Sequence, residues 1–318
     1  MSALSLTTPT LPIARRVQAF FAPVDRVTAT PTIFDPSAPF DVEQPPSPWL
    51  PAGWIENFAR SAATRVEQAR AGAAGATALQ YRSHADARVE FEFRQWGKLQ
   101  MAIAAGSEHM NVLAPATGAA LRPAGGPAAP AVPLVAGSTS TQLQLSSAAQ
   151  FAPGDIVAVD IDYAAQTGYV GTGIAAAYVR DPADIAGDVD YIRRVTFNVA
   201  RVATTDGSSL TLAQPLIGGD PQPSAAVQKV IAFVDREGSA YFQEWSALVV
   251  IDESGGRVCF YYPRLQSCAS SQEQRFPVST GIDGFALKAS LIALPVDDGP
   301  AQILCYRSYF PAAAAAVY

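Results

Sequence analysis

The sharpest pattern in the chain is the strict alternation Arg88-Val89-Glu90-Phe91-Glu92-Phe93-Arg94. Successive strand residues point to opposite faces, so Val89, Phe91 and Phe93 define a core side. Arg88, Glu90, Glu92 and Arg94 then define a side turned away from it. Weaker runs of the same kind fall at 142–145, 155–160, 195–202 and 209–212, and again at 230–233, 244–251, 257–262, 284–294 and 303–309. Turn signals such as Pro153-Gly154-Asp155 and Asp206-Gly207 separate several of them. Residues 96–105 instead predict one short helix of good helix formers, which Gly106 can end. Residues 54–71 support two readings. Trp54, Ile55, Phe58, Ala62, Val66 and Ala69 recur at helical spacing, while 65–70 alternates like a strand, and period alone does not separate them.

Residues 1–53 are rich in Pro, Thr and Ala. The prolines in 34–40 and 45–51 exclude both a continuous helix and a central strand. Phe34, Phe40 and Trp49 are nevertheless too apolar for a free tail, so an extended arm must lie against its own body or against a neighbouring subunit. Further along, no lysine occurs between Lys98 and Lys229 and no glutamate between Glu108 and Glu237. An Ala/Pro/Gly linker at 117–133 precedes the run of short strands. The division expected is an arm at 1–53, a β body at 54–134 and 223–318, and an inserted β-barrel-like module at 135–222 on the outer surface.

Of the 318 residues, 49% are apolar and 16% charged, which permits a sizeable core and excludes a disordered chain. A net charge of −6 argues against a phosphate-backbone binder. The three cysteines have neither a disulfide framework nor zinc spacing, so a reducing cytoplasm is the expected folding compartment. Residues 1–12 lack the pattern of a secretory signal, and no apolar stretch is long enough to insert in a membrane.

Candidate chemistry is sparse. The two histidines, His84 and His109, have no partner motif, and the common nucleophile and phosphate-loop signatures are missing. Gly171-Thr172-Gly173-Ile174-Ala175-Ala176 matches a dinucleotide fingerprint, but Asp181-Pro182 comes too soon for the long helix that motif needs. Asp181, Asp184, Asp188 and Asp190 lack the register of a calcium loop and read as a solvated loop. Glu90 and Glu92, flanked by arginines, are held ionised rather than tuned for proton transfer. No catalytic role, cofactor or metal is expected.

Two stretches carry a resemblance. Gly53-Trp54-Ile55-Glu56-Asn57-Phe58, Val89 to Phe93, 96–102 and 106–111 form the first, and 284–294 with the Asp297-Asp298-Gly299 turn forms the second. Together they resemble the tail-tube proteins of long-tailed bacteriophages over about half the chain. The resemblance implies a mainly β fold, a β-sandwich or half-open barrel with one flanking helix. It also implies hexameric rings that stack into a hollow tail tube through which DNA passes without specific binding. The partners would be copies of the chain and other tail proteins, in a virion assembled in the host cytoplasm. It further implies that Arg88, Glu90, Glu92 and Arg94 face the lumen, with both arginines paired to acids of adjacent subunits, and it permits Phe34, Phe40 and Trp49 to contact a neighbour. A β-rich binding module of a baseplate, fibre or cell surface is the alternative.

Overall fold

The structure is a computed structural model. It describes residues 14–24, 28–46, 48–72, 75–95, 97–106, 108–120, 126–164, 187–236, 243–253, 256–268, 274–275 and 286–311. The Gly171 to Ala176 motif, Asp181, Asp184 and Trp96 lie outside these residues. Among them the chain is mainly β, in two large antiparallel sheets. Neither sheet closes into a barrel.

The first sheet is built from β1 (Ala14–Pro23), β2 (Leu50–Pro51), β3 (Ile55–Ala71) and β4 (Ala76–Phe93), with partners contributed by the far end of the chain. After α1 (Lys98–Ala105) the chain enters the second sheet with β5 (Glu108–Leu113), β6 (Val132–Pro133), β7 (Gln142–Gln144) and β8 (Ile156–Ile161). A short helix, α2 (Tyr191–Val195), leads to β9 (Val199–Asp206), β10 (Ser209–Leu212) and β11 (Ala225–Arg236). The chain then returns through β12 (Glu244–Glu253), β13 (Gly256–Ser267), β14 (Gln274–Arg275) and β15 (Ala286–Ala293). It closes with a two-stranded ribbon, β16 (Val296–Asp298) and β17 (Ala301–Ile303), and with β18 (Tyr306–Pro311).

In the first sheet the order is β2-β1-β12-β13-β15-β4-β3, with β14 on β15 and β18 on β13. In the second it is β5-β11-β8-β9-β10-β7, with β6 on β11. The second sheet therefore takes β5, β6 and β11 from outside 135–222. Phe197, from inside that range, packs in the core of the first sheet with its ring 5.7 Å from Trp245. The edge of the 135–222 segment is thus not a boundary between the sheets.

Both faces of the first sheet are covered near its middle. One side buries Phe21, Val89, Phe91, Phe93, Trp245 and Leu291 under α1, which contributes Leu99, Ala102 and Ile103. The helix stops at Gly106, whose φ of 62° is left-handed and whose N–H bonds the Ala102 carbonyl. A Cβ there would also meet Ser267 Cβ at 2.3 Å, so the close approach of β13 requires glycine as well. On the opposite side, Phe20, Leu248, Val250 and Tyr261 pack under Phe34, Phe40 and Trp49. Of the two placements open to those three rings, the structure has them against their own body. All three are buried within their own chain, edge-on to one another at 5.7 and 6.1 Å. Part of the extended arm, 14–23, is a sheet strand paired along β12.

Candidate functional site

The strand expected from the alternation at 88–94 forms the inner end of β4, and Val89, Phe91 and Phe93 are buried as their spacing requires. Glu90 and Glu92 lie on the other face. Glu90 pairs with Lys288 on β15 at 3.2 Å, and Glu92 accepts a hydrogen bond from Asn57 Nδ2 at 3.1 Å. Arg94 donates to Glu56 at 2.8 Å, so the expected pairing of Arg94 with an adjacent subunit is replaced by one within the chain. Arg88 is exposed, without an ion pair among the described residues. Asn57 takes a left-handed φ of 54° where the β3 register slips between Glu56 and Ala59, a conformation Asn tolerates better than most residues.

The two readings of 54–71 resolve as a strand. β3 pairs with β4 in a hairpin of 17 and 18 residues. β15 flanks β4 only across Arg88 to Phe93, so beyond that point β4 has no neighbour but β3 among the described residues. The free part, at 3.3 Å per residue, projects roughly 35 Å. Both of its faces are exposed, including Val66 at 51%, Leu79 at 60% and Tyr81 at 49%. Its charge differs from the body. Residues 60–88 carry five arginines against Glu67 and Asp86, a net +3, so the remainder of this −6 chain carries −9. His84 sits on this hairpin, 2.9 Å from Asp86.

At the root of the hairpin, a cleft of about 640 Å³ runs between β1 and the start of β3, lined by Arg16 to Phe20 and by Gly53 to Phe58. β2 covers β1 only opposite Phe20 and Phe21. Gln18, one of the lining residues, has a buried Oε1 without a hydrogen-bond partner among the described residues.

The second concentration of polar groups is internal. α2 is buried along its whole length between the two sheets, with Arg193 and Arg194 each 1% exposed. Arg193 donates to Gln228 Oε1 (2.5 Å), to the Asp160 carbonyl (3.2 Å) and to Asp190 (3.0 Å), and it reaches Asp162 at 2.6 Å. Arg194 donates to Asp188 at 3.1 Å. Asp188 and Asp190 are therefore structural partners of α2 rather than a solvated loop. From the first sheet's side, Lys98 donates to the carbonyls of Val195 and Thr196, and its ammonium lies 4.6 Å from the Phe197 ring centroid. Asn111 donates to the carbonyls of Arg193 and Thr196.

Sequence reading missed this joint, although a signal existed. Asp190 stands three and four residues before Arg193 and Arg194, the spacing at which side chains meet on a helix. Among the described residues, no group of three or more His, Cys, Asp or Glu side chains is placed to hold a metal ion, and no helix is long and apolar enough to cross a membrane. No known family model matches the chain, and no curated protein matches it.

Proposed function

We propose that this chain is a structural subunit that assembles with copies of itself, and that the assembly is a phage-type tail tube of stacked hexameric rings. The observation that carries the reading is the β3–β4 hairpin. A two-stranded ribbon in water is marginally stable, and a strand edge with unpaired N–H and C=O groups is a template for another chain. A projection of this length, exposed on both faces, gains most from a second molecule. Its net positive charge is complementary to the acidic remainder of a neighbouring copy. The open β1 edge at the cleft offers a second place for sheet continuation.

On this reading Arg88, Glu90, Glu92 and Arg94 line the lumen, where a surface without net positive charge lets DNA slide without being held. The subunit would work in the tail of a virion, with other tail proteins as further partners and assembly in the host cytoplasm. The test shortens the hairpin by replacing residues 63–85 with Gly-Asn-Gly. The removed part contributes little to either core, so the variant should keep its thermal transition and lose self-assembly. A variant that still assembles would remove the hairpin's role. A wild-type protein that stays monomeric would favour the alternative, a β-rich binding module.

A further inference from the structure

The two faces of the β3–β4 hairpin differ in charge. β3 alternates without an inserted residue from Ala59 to Ala71, and the slips in this stretch insert Ser83 and Ala78 on β4 instead. Each β3 residue shares its face with the residue opposite it. One face therefore takes Arg60, Arg70 and, opposite Val66, Arg82, and it takes no carboxylate. The other takes Arg65 and Arg88 with Glu67 and Asp86, and the pairs Arg65–Glu67 and His84–Asp86 lie there. The whole net +3 of residues 60–88 thus falls on the first face. Arg60 is fixed at the root, where it donates to the Tyr262 hydroxyl at 3.0 Å. Arg70 and Arg82 are exposed, without an ion pair among the described residues.

The arm carries the opposite imbalance. Residues 28–59 contain Asp35, Asp41, Glu43 and Glu56 and no Lys or Arg. Glu43 is taken by Arg16 and Glu56 by Arg94, both at 2.8 Å. Asp35 and Asp41 are exposed and accept hydrogen bonds from their own turns, from Ser37 and from the N–H groups of Glu43 and Gln44. Neither has an ion pair among the described residues. Two arginines without a counter-charge are thus matched by two such aspartates, but not within one molecule. At its root the cationic face continues the side of the first sheet that α1 covers, since Arg60 stands opposite Val89, whereas the arm covers the other side. Arg70 then stands roughly 33 Å further out along the ribbon.

We propose, resting on the reading that the chain assembles with itself, that the hairpin face carrying Arg70 and Arg82 docks on the arm of a second copy, against Asp35 and Asp41. The contact joins two unlike patches, so it is head-to-tail: each copy gives its hairpin to one neighbour and receives a hairpin from another. Such a contact propagates into rings or stacks instead of closing as a dimer. Its exposed charges select the face and the register, and salt weakens it.

The experiment follows the concentration at which the full chain assembles, by light scattering at low ionic strength. Arg70→Glu with Arg82→Glu turns two attractions into repulsions and should raise that concentration about tenfold. Asp35→Lys with Asp41→Lys should do the same. Asn at both positions, which keeps the turn hydrogen bonds and removes only the charge, should raise it about threefold. Arg65→Glu, at nearly the same height as Arg82 on the opposite face, should shift it less than twofold. An equimolar mixture of the Glu and Lys double variants should assemble close to the wild-type concentration, because each supplies the arm that the other's hairpin needs. Equal sensitivity to Arg65→Glu would place the contact on the face of Leu79 and Tyr81 and overturn the proposal. So would a mixture no better than its components, or a Glu double variant that assembles like wild type and loses only binding to duplex DNA. In each of these the wild type still assembles, whereas a wild type that stays monomeric would overturn the assembly reading itself.

Discussion

Replacing Arg193 with Met tests how strongly α2 is fixed to the second sheet. The substitution keeps an unbranched apolar stem and deletes the guanidinium. It strips the Asp160 carbonyl, Gln228 Oε1 and Asp190 of a donor at 3.2, 2.5 and 3.0 Å. Asp162 is 67% exposed at its side chain and can turn to water, so its loss costs little. Asp190 is mostly buried and keeps Arg194 at 3.8 Å and the Gln228 Nε2 donor at 3.0 Å, so it loses its nearest cation. Removing one member of a buried pair costs about 3–5 kcal/mol, because its partner stays buried and unpaired. With an unfolding entropy of about 2.1 cal/mol/K per residue, a loss near 4 kcal/mol lowers Tm by roughly 6 °C in a chain of this length. Lys at the same position restores the charge without the planar fork and should recover less than half of the loss. Scanning calorimetry reads both values. A Tm within about 2 °C of wild type for the Met variant would refute the claim that Arg193 fastens α2 to the second sheet.

Other expectations follow from the same packing. Deleting residues 1–52 removes β1 from the sheet and the three rings above Leu248, Val250 and Tyr261, each worth about 3–5 kcal/mol. The truncated chain should lose its cooperative thermal transition, and a retained transition would show that the arm is dispensable to the fold. On the proposed reading, Glu90→Lys with Glu92→Lys should still give tubes but slow DNA delivery, most at low ionic strength where the new attraction is least screened. Delivery rates that do not depend on salt would retire the lumen assignment.

What the sequence disclosed follows from how each element is buried. β4 was legible at 88–94 because one face enters a core and the other does not, and α1 because its helix formers run into Gly106. The outer hairpin was only half legible, because both faces are exposed and the alternation at 65–70 competes with a helical spacing. Its Ala and Arg residues fit a helix as well as a strand. The arm aromatics announced burial, but nothing in a single sequence states which molecule provides it, and here Tyr261 and Phe20 do. The joint escaped because buried arginines and aspartates look like solvated ones until their partners are known. Lys98 reads as an ordinary helix lysine, yet it is the residue that reaches across to α2.

Self-assembly of the unmodified chain is the claim on which the functional reading rests, and negative-stain electron microscopy of the purified protein over a concentration series tests it most directly. Rings of six that stack into hollow tubes as concentration rises are the expected result, with the hairpin at subunit contacts. A uniform monomer at the highest concentration reached would contradict it.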